Sequence, residues 1–479
     1  MNPYANHPQQ ASSFPLDRLD RSMSARIGVY SLLVATFGFW FAWGIGPGAF
    51  TISVTQIFTI IAFCTCVFQW MVFGITIPLS TRALLHPFIW VSVAMILVGF
   101  GSMVSAPDPI LTVRFISRWV FGILYLIAIV QLITLDAQRL KMVIRAFLYG
   151  GVATVPALVA GYFYRPLGEL VFWDLWSYRS NGFLEHPNQL AMVTLVGLVL
   201  AQLPGLLTRR LWLVVVAALL FVLVTAGSKI NIALAILIIP VIFFWLPARE
   251  GRAVEAVGGA LAGLIAALAT LAGIIYGLKT YNNYYYRKLE QFITNPDRAD
   301  STQSRGGMWQ ESIDCMLEKP VFGIGGGNAN ACIDYTHAHN VFINYLLETG
   351  VVGFLTFVAF LLLVISPAVG ISKKLAYGIH ASAYNRQLFR SAGLVLVAMV
   401  LFITANMSSD SLGGTTMPVL WLLAGIPLAM NTIVERKRAQ PRSLPGLGNA
   451  ATPNGIMSRR HQAYPAPRAG FGKPLSGST

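Results

Sequence analysis

Apolar residues along this chain come in long, nearly unbroken runs, and polar residues gather in the gaps between them. Twelve such runs stand out, near residues 26–45, 51–74, 87–105, 115–135, 143–163, 188–204, 210–227, 230–247, 254–277, 345–369, 389–407 and 415–431. About 20 apolar residues cross a hydrocarbon core of about 30 Å as a helix. Spanning β-strands would instead alternate apolar and polar residues over short segments, and these runs are continuous. The pattern predicts an all-α, polytopic integral membrane protein with about 12 transmembrane helices. Residues 278–344 form by far the longest gap.

The polar gaps differ in kind. One set carries the basic residues: Arg82; Arg139, Lys141 and Arg145; Arg209 and Arg210; Arg249 and Arg252; and Lys373, Lys374, Arg386 and Arg390. These fall in alternate loops. Cytoplasmic loops are enriched in Lys and Arg, so the alternation predicts both termini inside. The other side then receives residues 106–114, 164–187, 278–344 and 408–414, which hold nearly all the unusual polar residues. Three regions follow: a cytoplasmic N-terminal segment 1–25, a membrane domain 26–431 with the long external loop 278–344, and a basic tail 432–479. The tail's Pro, Gly and Ser content predicts disorder. The run after Arg18, Arg21 and Arg26 exceeds a signal-peptide core and lacks a clear cleavage site, so it reads as an uncleaved first span.

Composition sharpens this picture. Only 11% of residues are charged, mean hydropathy is +0.64 and net charge is +15. Soluble domains carry about 25% charged residues. The positive balance follows from cytoplasmic loops and does not call for nucleic acid. Cys64 and Cys66 lie inside a span and read as packing residues. Cys315 and Cys332 share the long loop; they are either a disulfide, if that side is oxidising, or two free thiols, because sequence does not supply their separation.

Several polar clusters sit at the edges of the runs. "YRSNGFLEHPNQLAM" places Arg179, Asn181, Glu185, His186 and Asn188 just before a span. Arg179 suits phosphate oxygens through its planar fork; Asn181 or Asn188 also suits a helix cap, and Pro187 a helix start. Ser228 and Lys229 lie between two spans, where a lysine ordinarily snorkels. Arg114 and Arg118 are four residues apart, on one helix face; Arg114 suits the interface and Arg118 a cavity. The long loop holds Arg305 and Trp309, then "GIGGGN". With no preceding strand and the wrong spacing, that stretch is a turn, not a dinucleotide fingerprint. "HAHNVFINYLLETGVVGF" follows, with His337, His339, Asn340 and Glu348. His337, His339 and Asp334 lack the His-x-x-x-His spacing of a helical metal site, so no metal or other cofactor is expected. The tyrosines around Tyr281–Tyr286 suit an interfacial belt or a sugar-stacking surface.

The order and sidedness of these clusters resemble the O-antigen ligase superfamily, which includes O-antigen ligases and O-antigen or exopolysaccharide polymerases. The resemblance covers roughly residues 26–431 and is sharpest at 179–191 and 305–353. It implies a membrane glycosyltransferase acting in cell-surface polysaccharide biosynthesis, with its site facing the periplasm from the bacterial inner membrane. The implied donor is an undecaprenyl-diphosphate-linked glycan, and the acceptor another glycan or a lipid A-core sugar. Membrane lipids and other polysaccharide assembly proteins are the further partners. The resemblance assigns His339, His337 and Arg305 to catalysis and Arg179, Lys229 and Arg118 to the diphosphate. Asn188, His186, Asn340 and Glu348 support them. Lys229 departs from the family's Ser-Arg and loses the fork, and His337 leaves open which histidine is the base.

The chemistry follows from that assignment. A departing diphosphate is stabilised by arginine or lysine, and a histidine suits the deprotonation of an acceptor hydroxyl. In-line attack would invert the anomeric carbon. A transporter or flippase of lipid-linked oligosaccharide is the alternative, but it predicts internal repeats and charges near the midplane. Here the charges cluster at one surface.

Overall fold

The computed structural model describes residues 23–41, 44–45, 52–75, 77–133, 137–174, 179–249, 253–281, 287, 290, 300–334, 337–376, 383–407 and 416–439. The expected N-terminal segment, most of the Tyr281–Tyr286 cluster and the tail beyond Ala439 lie outside them. The chain is an all-α, multi-pass membrane protein. In order it runs α1 (Met23–Phe37), α2 (Val54–Phe73), α3 (Leu79–Met103), α4 (Pro109–Ile133), α5 (Ala137–Phe163) and the short α6 (Arg165–Val171). Then come α7 (Pro187–Leu200), α8 (Arg209–Ala226), α9 (Lys229–Arg249), α10 (Ala253–Tyr281), α11 (Asp300–Glu318), α12 (Val341–Ala376), α13 (Ala383–Asn406) and α14 (Met417–Ala439). Two small antiparallel ribbons, Gly44–Ile45 with Ile52–Ser53 and Phe172–Asp174 with Arg179–Ser180, decorate one end.

Each of the twelve apolar runs falls on a helix. Among the described residues, nine helices are long and apolar enough to cross a membrane, and α7, with 14 residues, is shorter. Local chemistry sets their ends. Ser53 and Gln56 form a reciprocal capping box at the start of α2, which satisfies two otherwise orphaned N–H groups. Gly74 and Gly227 end α2 and α8 in the left-handed conformation, as C-terminal glycines do. Three of the differences from expectation are instructive. α3 begins at Leu79 and carries Pro87 inside it, which membrane helices tolerate. The long gap contains α11, whose polar composition gives no apolar run to read. α14 continues to Ala439, past the expected boundary at 431.

The core forms where α14 enters the bundle. Its span is 89% buried, against 28–61% for the other eight. Trp421 meets Phe360 and Trp119 at ring-centroid distances of 4.7 and 5.8 Å. Gly122 lets the Trp421 indole lie directly against α4.

α12 breaks at Gly350, where φ is 64° and ψ −170°. A break in a helix orphans the backbone groups on either side of it, and in lipid these must be satisfied within the protein. Here the Leu347 and Glu348 carbonyls accept from Ile324 and Gly325 N–H, at 3.2 and 2.9 Å. The Val351 and Val352 N–H groups donate to the Pro320 and Val321 carbonyls, at 2.8 and 3.4 Å. The segment 320–325 thus splices the broken helix. Gly323 (φ 69°) and Gly325 (φ 99°) allow it to turn, and a Cβ on Gly323 would strike the backbone of Glu348 and Gly350. Tyr345 and Phe357 stack across the break at 3.9 Å.

Gly350→Ala should lower the thermal midpoint of the purified protein, because that backbone region is essentially glycine-only and costs on the order of 1–3 kcal/mol otherwise. Its Cβ would also meet the Val321 carbonyl. Gly370→Ala is the control: nothing lies near its Cβ, and alanine is the better helix former. Equal midpoints for the two variants would contradict the splice.

Candidate active site

The splice places the loop that precedes α12. Asn328, buried, donates from Nδ2 to the Asp108 carbonyl at 3.1 Å and to Thr112 Oγ1 at 3.2 Å, and its Oδ1 accepts from Asp108 N–H at 2.9 Å. Lys319 Nζ donates to the Ser105 carbonyl, at 3.0 Å. The glycine turn expected from the sequence is therefore pinned to the α3–α4 connection. Cys315 of α11 is disulfide-bonded to Cys332, with Cα atoms 6.1 Å apart, which settles the question the sequence left open.

The histidine segment is held from both sides. Trp309 Nε1 of α11 donates to the Ala338 carbonyl at 2.8 Å, and Ala338 N–H donates to Asn344 Oδ1 at 3.1 Å. Ala338 is fully buried between the two histidines. Asn340 caps α12, its Oδ1 accepting from Phe342 N–H at 2.9 Å. His339 adopts φ 51°, uncommon for a residue with a side chain. Its ring packs edge-on to His337, with centroids 4.5 Å apart. Glu348 is buried at the break.

The second cluster lies at the start of α7. Here His186, not an asparagine, is the cap: its Nδ1 accepts from Asn188 N–H at 3.1 Å. Pro187 occupies the first helical position, where its missing N–H costs nothing. Arg179 Nε donates to the Ala226 carbonyl at the end of α8, at 3.0 Å, and Nη2 donates to Asn188 Oδ1 at 2.7 Å. One edge of its fork thus ties α7 to α8. Asn181 Nδ2 turns back to the Leu184 carbonyl.

These two clusters, some 150 residues apart in sequence, come within electrostatic range of one another. Burial, then the neighbouring charges of Arg179, His337 and His339, push the His186 imidazole from its ordinary 6.5 down to about 3. A neutral ring is also what a cap acceptor requires. Lys229 is exposed at the first position of α9, beside buried Ser228. Arg305 lies on α11, with its side chain outside the described residues. Among the described residues, no three His, Cys, Asp or Glu side chains converge to hold a metal ion.

Arg118 lines a cavity of about 200 Å³ between the turn after α1, α2, α4 and α14. Arg114, expected at the interface, lines the same cavity, as do Glu185, Ser53, Gln56 and Trp421. Apart from the shared face of Arg114 and Arg118, the sequence offered no link between these residues. The four-residue spacing of the arginines, and the position of Glu185 just before His186, were the available signals.

Residues 213–358 match a family model described as Wzy_C, O-antigen ligase. That match supports the O-antigen ligase superfamily. No curated protein matches the chain. The O-antigen ligase stretch takes in most of α8, then α9–α11, the glycine turn, both histidines and the break in α12. Arg179 and His186 lie before it in sequence and are brought to it by the fold.

The His186 shift has a consequence for stability. Its folded pKa is depressed, so acid favours the unfolded chain, which binds the extra proton. The contribution is whole above pH of about 6.5 and is lost as pH falls toward about 3. His186→Asn keeps a competent cap without the titration. Between about pH 7.5 and pH 5, the wild-type thermal midpoint should fall more than the variant's; equal falls would contradict the shift.

Proposed function

We propose that this protein transfers a glycan from an undecaprenyl-diphosphate carrier to an acceptor glycan at the periplasmic face of the bacterial inner membrane. The observation that carries this reading is that Arg179 and His186 lie within electrostatic range of the packed pair His337 and His339. The O-antigen ligase match supports the reaction class.

In this mechanism His339 takes the proton of an acceptor hydroxyl. The freed oxygen attacks the anomeric carbon from the face opposite the diphosphate. The bond between that carbon and the diphosphate oxygen breaks, and the diphosphate leaves with the electron pair. Arg179, Arg305 and Lys229 offset the developing negative charge, where positioned cations act most strongly. This asks nothing of a metal ion. His337 supports the His339 ring, Asn188 holds Arg179 in place, and Asn340 and Glu348 hold the start of α12. A single displacement inverts the anomeric configuration.

The orientation rests on charge. Arg82 begins α3, Arg139 begins α5, Arg209 begins α8, and Lys373 and Lys374 end α12. In α3, α8 and α12 the opposite end lies by the polar clusters: Ser105 beyond α3 bonds the Gly323 carbonyl, Ala226 of α8 bonds Arg179, and His339 precedes α12. The basic ends therefore fit the cytoplasm.

Two tests follow. With purified protein, a polyprenyl-diphosphate glycan and an acceptor glycan, His339→Ala should reduce transfer on the order of 10²–10⁴-fold, the usual effect of losing a general base. His337→Ala should retain part of the activity. A dead His337→Ala beside an active His339→Ala would reverse the roles. For orientation, a single thiol at Gln303→Cys in a Cys64→Ala/Cys66→Ala background should react with an impermeant reagent in intact spheroplasts. Labelling only after permeabilisation would invert the topology.

A further inference from the structure

α12 does not continue outward before its break. At about 1.5 Å per residue, an unbroken helix would set Phe342 about 22 Å and Tyr345 about 18 Å from Phe357 along its axis. Their ring centroids instead lie 6.1 and 3.9 Å from that of Phe357, so the arm before Gly350 folds back over the arm after it. α11 is fastened to both ends of the folded arm. Trp309 Nε1 holds the Ala338 carbonyl at one end, and the Pro320 and Val321 carbonyls, just past α11, accept from Val351 and Val352 N–H at the other. α11 therefore runs beside the folded arm, across the end of the bundle. Depth follows from length, since about 20 residues cross the hydrocarbon core. Counted back from Lys373 on α12 they reach Gly353, and counted forward from Arg82 on α3 they reach Ser102. Val351, Val352 and Val104, all exposed, stand at this boundary.

Val321 and Phe322 are joined to that boundary: Val321 through its bond to Val352, and Phe322 because its ring covers Gly101, where a Cβ would meet it at 3.1 Å. Both are exposed, and they continue the exposed apolar surface of Leu97 and Phe100 on α3 and Leu355 on α12. On α11, Leu317 and Ile313 extend the strip at intervals of four residues, 63% and 37% exposed. Met308, Ser312 and Met316 face inward, and Gln310, Glu311, Asp314 and Glu318 occupy the remaining, exposed side. A helix with an apolar strip beside a charged side suits a membrane surface. We propose that α11 lies in the headgroup layer of the membrane, with Ile313, Leu317, Val321 and Phe322 inserted among the acyl chains of bilayer phospholipid. Continuity identifies the occupant: the hydrocarbon that covers Phe100 and Leu355 meets Val321 and Phe322 at the boundary they share with Val352. The charged side of α11 then faces water. Trp309 and the Cys315–Cys332 disulfide pass this depth on to the histidine loop, so the membrane sets the height of His337 and His339. The inference depends neither on the reaction nor on which side of the membrane this end of the bundle faces.

Spin labels on the full chain, in nanodiscs of zwitterionic phospholipid without polyprenyl lipid, test this. Single labelled cysteines are introduced as Ile313→Cys, Leu317→Cys, Gln310→Cys or Glu318→Cys in a Cys64→Ala/Cys66→Ala background that keeps the Cys315–Cys332 disulfide. The ratio of collisions with oxygen to collisions with a water-soluble nickel chelate should be several-fold higher at positions 313 and 317 than at 310 and 318. The two apolar positions are independent, so misfolding of one variant, seen as a collapsed thermal midpoint, leaves the other decisive. The readout requires no turnover, so failure of the transferase reading would leave it unchanged. Nickel-favoured collisions at 313 and 317 would place the strip in water. Shielding from both agents would place protein over it. An oxygen-favoured ratio that arises only when polyprenyl lipid is added would assign the strip to the tail of a carrier lipid. Each of these three results overturns the proposal.

Discussion

The structure depends on how a membrane-length helix is broken and then made whole. At Gly350 the α12 ladder stops, and four backbone groups lose their partners where water is scarce. All four are recovered by one short segment, residues 320–325. The cost of leaving even one such group unsatisfied in an apolar medium is several kcal/mol, so the break and the segment require each other. That segment leads through the Asn328 anchor into the histidine loop. The geometry of His337 and His339 is therefore set by a backbone splice within the bundle, although the loop itself is long. Trp309 and the Cys315–Cys332 disulfide add a second restraint by attaching α11 to the same loop.

The helical plan was legible because a lipid-facing helix cannot hide its length. Every apolar run fell on a helix. The misjudged boundaries share one cause: the deciding signal was not hydrophobicity. The expected span began at 87, but Pro87 lies inside α3. α11 has no apolar run at all. α12 begins at Val341, ahead of the expected 345, because Asn340 caps it, and the side-chain bond that reveals this is invisible in a list of apolar residues. The pairing of Cys315 with Cys332 needed a distance that only the fold supplies.

The polar clusters were legible one by one, but their meeting was not. "EHPN" and "HAHN" lie about 150 residues apart, and no spacing rule connects them. The fold joins them at His186, whose imidazole stays neutral because it is buried beside an arginine and two further histidines. Arg179 is likewise held twice: its Nε and Nη2 fasten the Arg179–Ser180 strand to α8 and α7, so the guanidinium proposed to meet the leaving group is rigidly mounted. Arg114 was read as the interfacial member of its pair with Arg118, because it lies nearer the helix end. Only the packing of α4 against α14 and the α7 cap shows that it shares a cavity with Arg118 and Glu185.

The mechanism's central claim is one displacement, assisted by a histidine, with no covalent glycosyl intermediate. The anomeric configuration of the new glycosidic bond tests it most directly. Purified protein should convert a polyprenyl-diphosphate glycan of known configuration into product of the opposite configuration, releasing one polyprenyl diphosphate per bond formed. A product that retains the donor's configuration would contradict a single in-line attack and require a second nucleophile at this site.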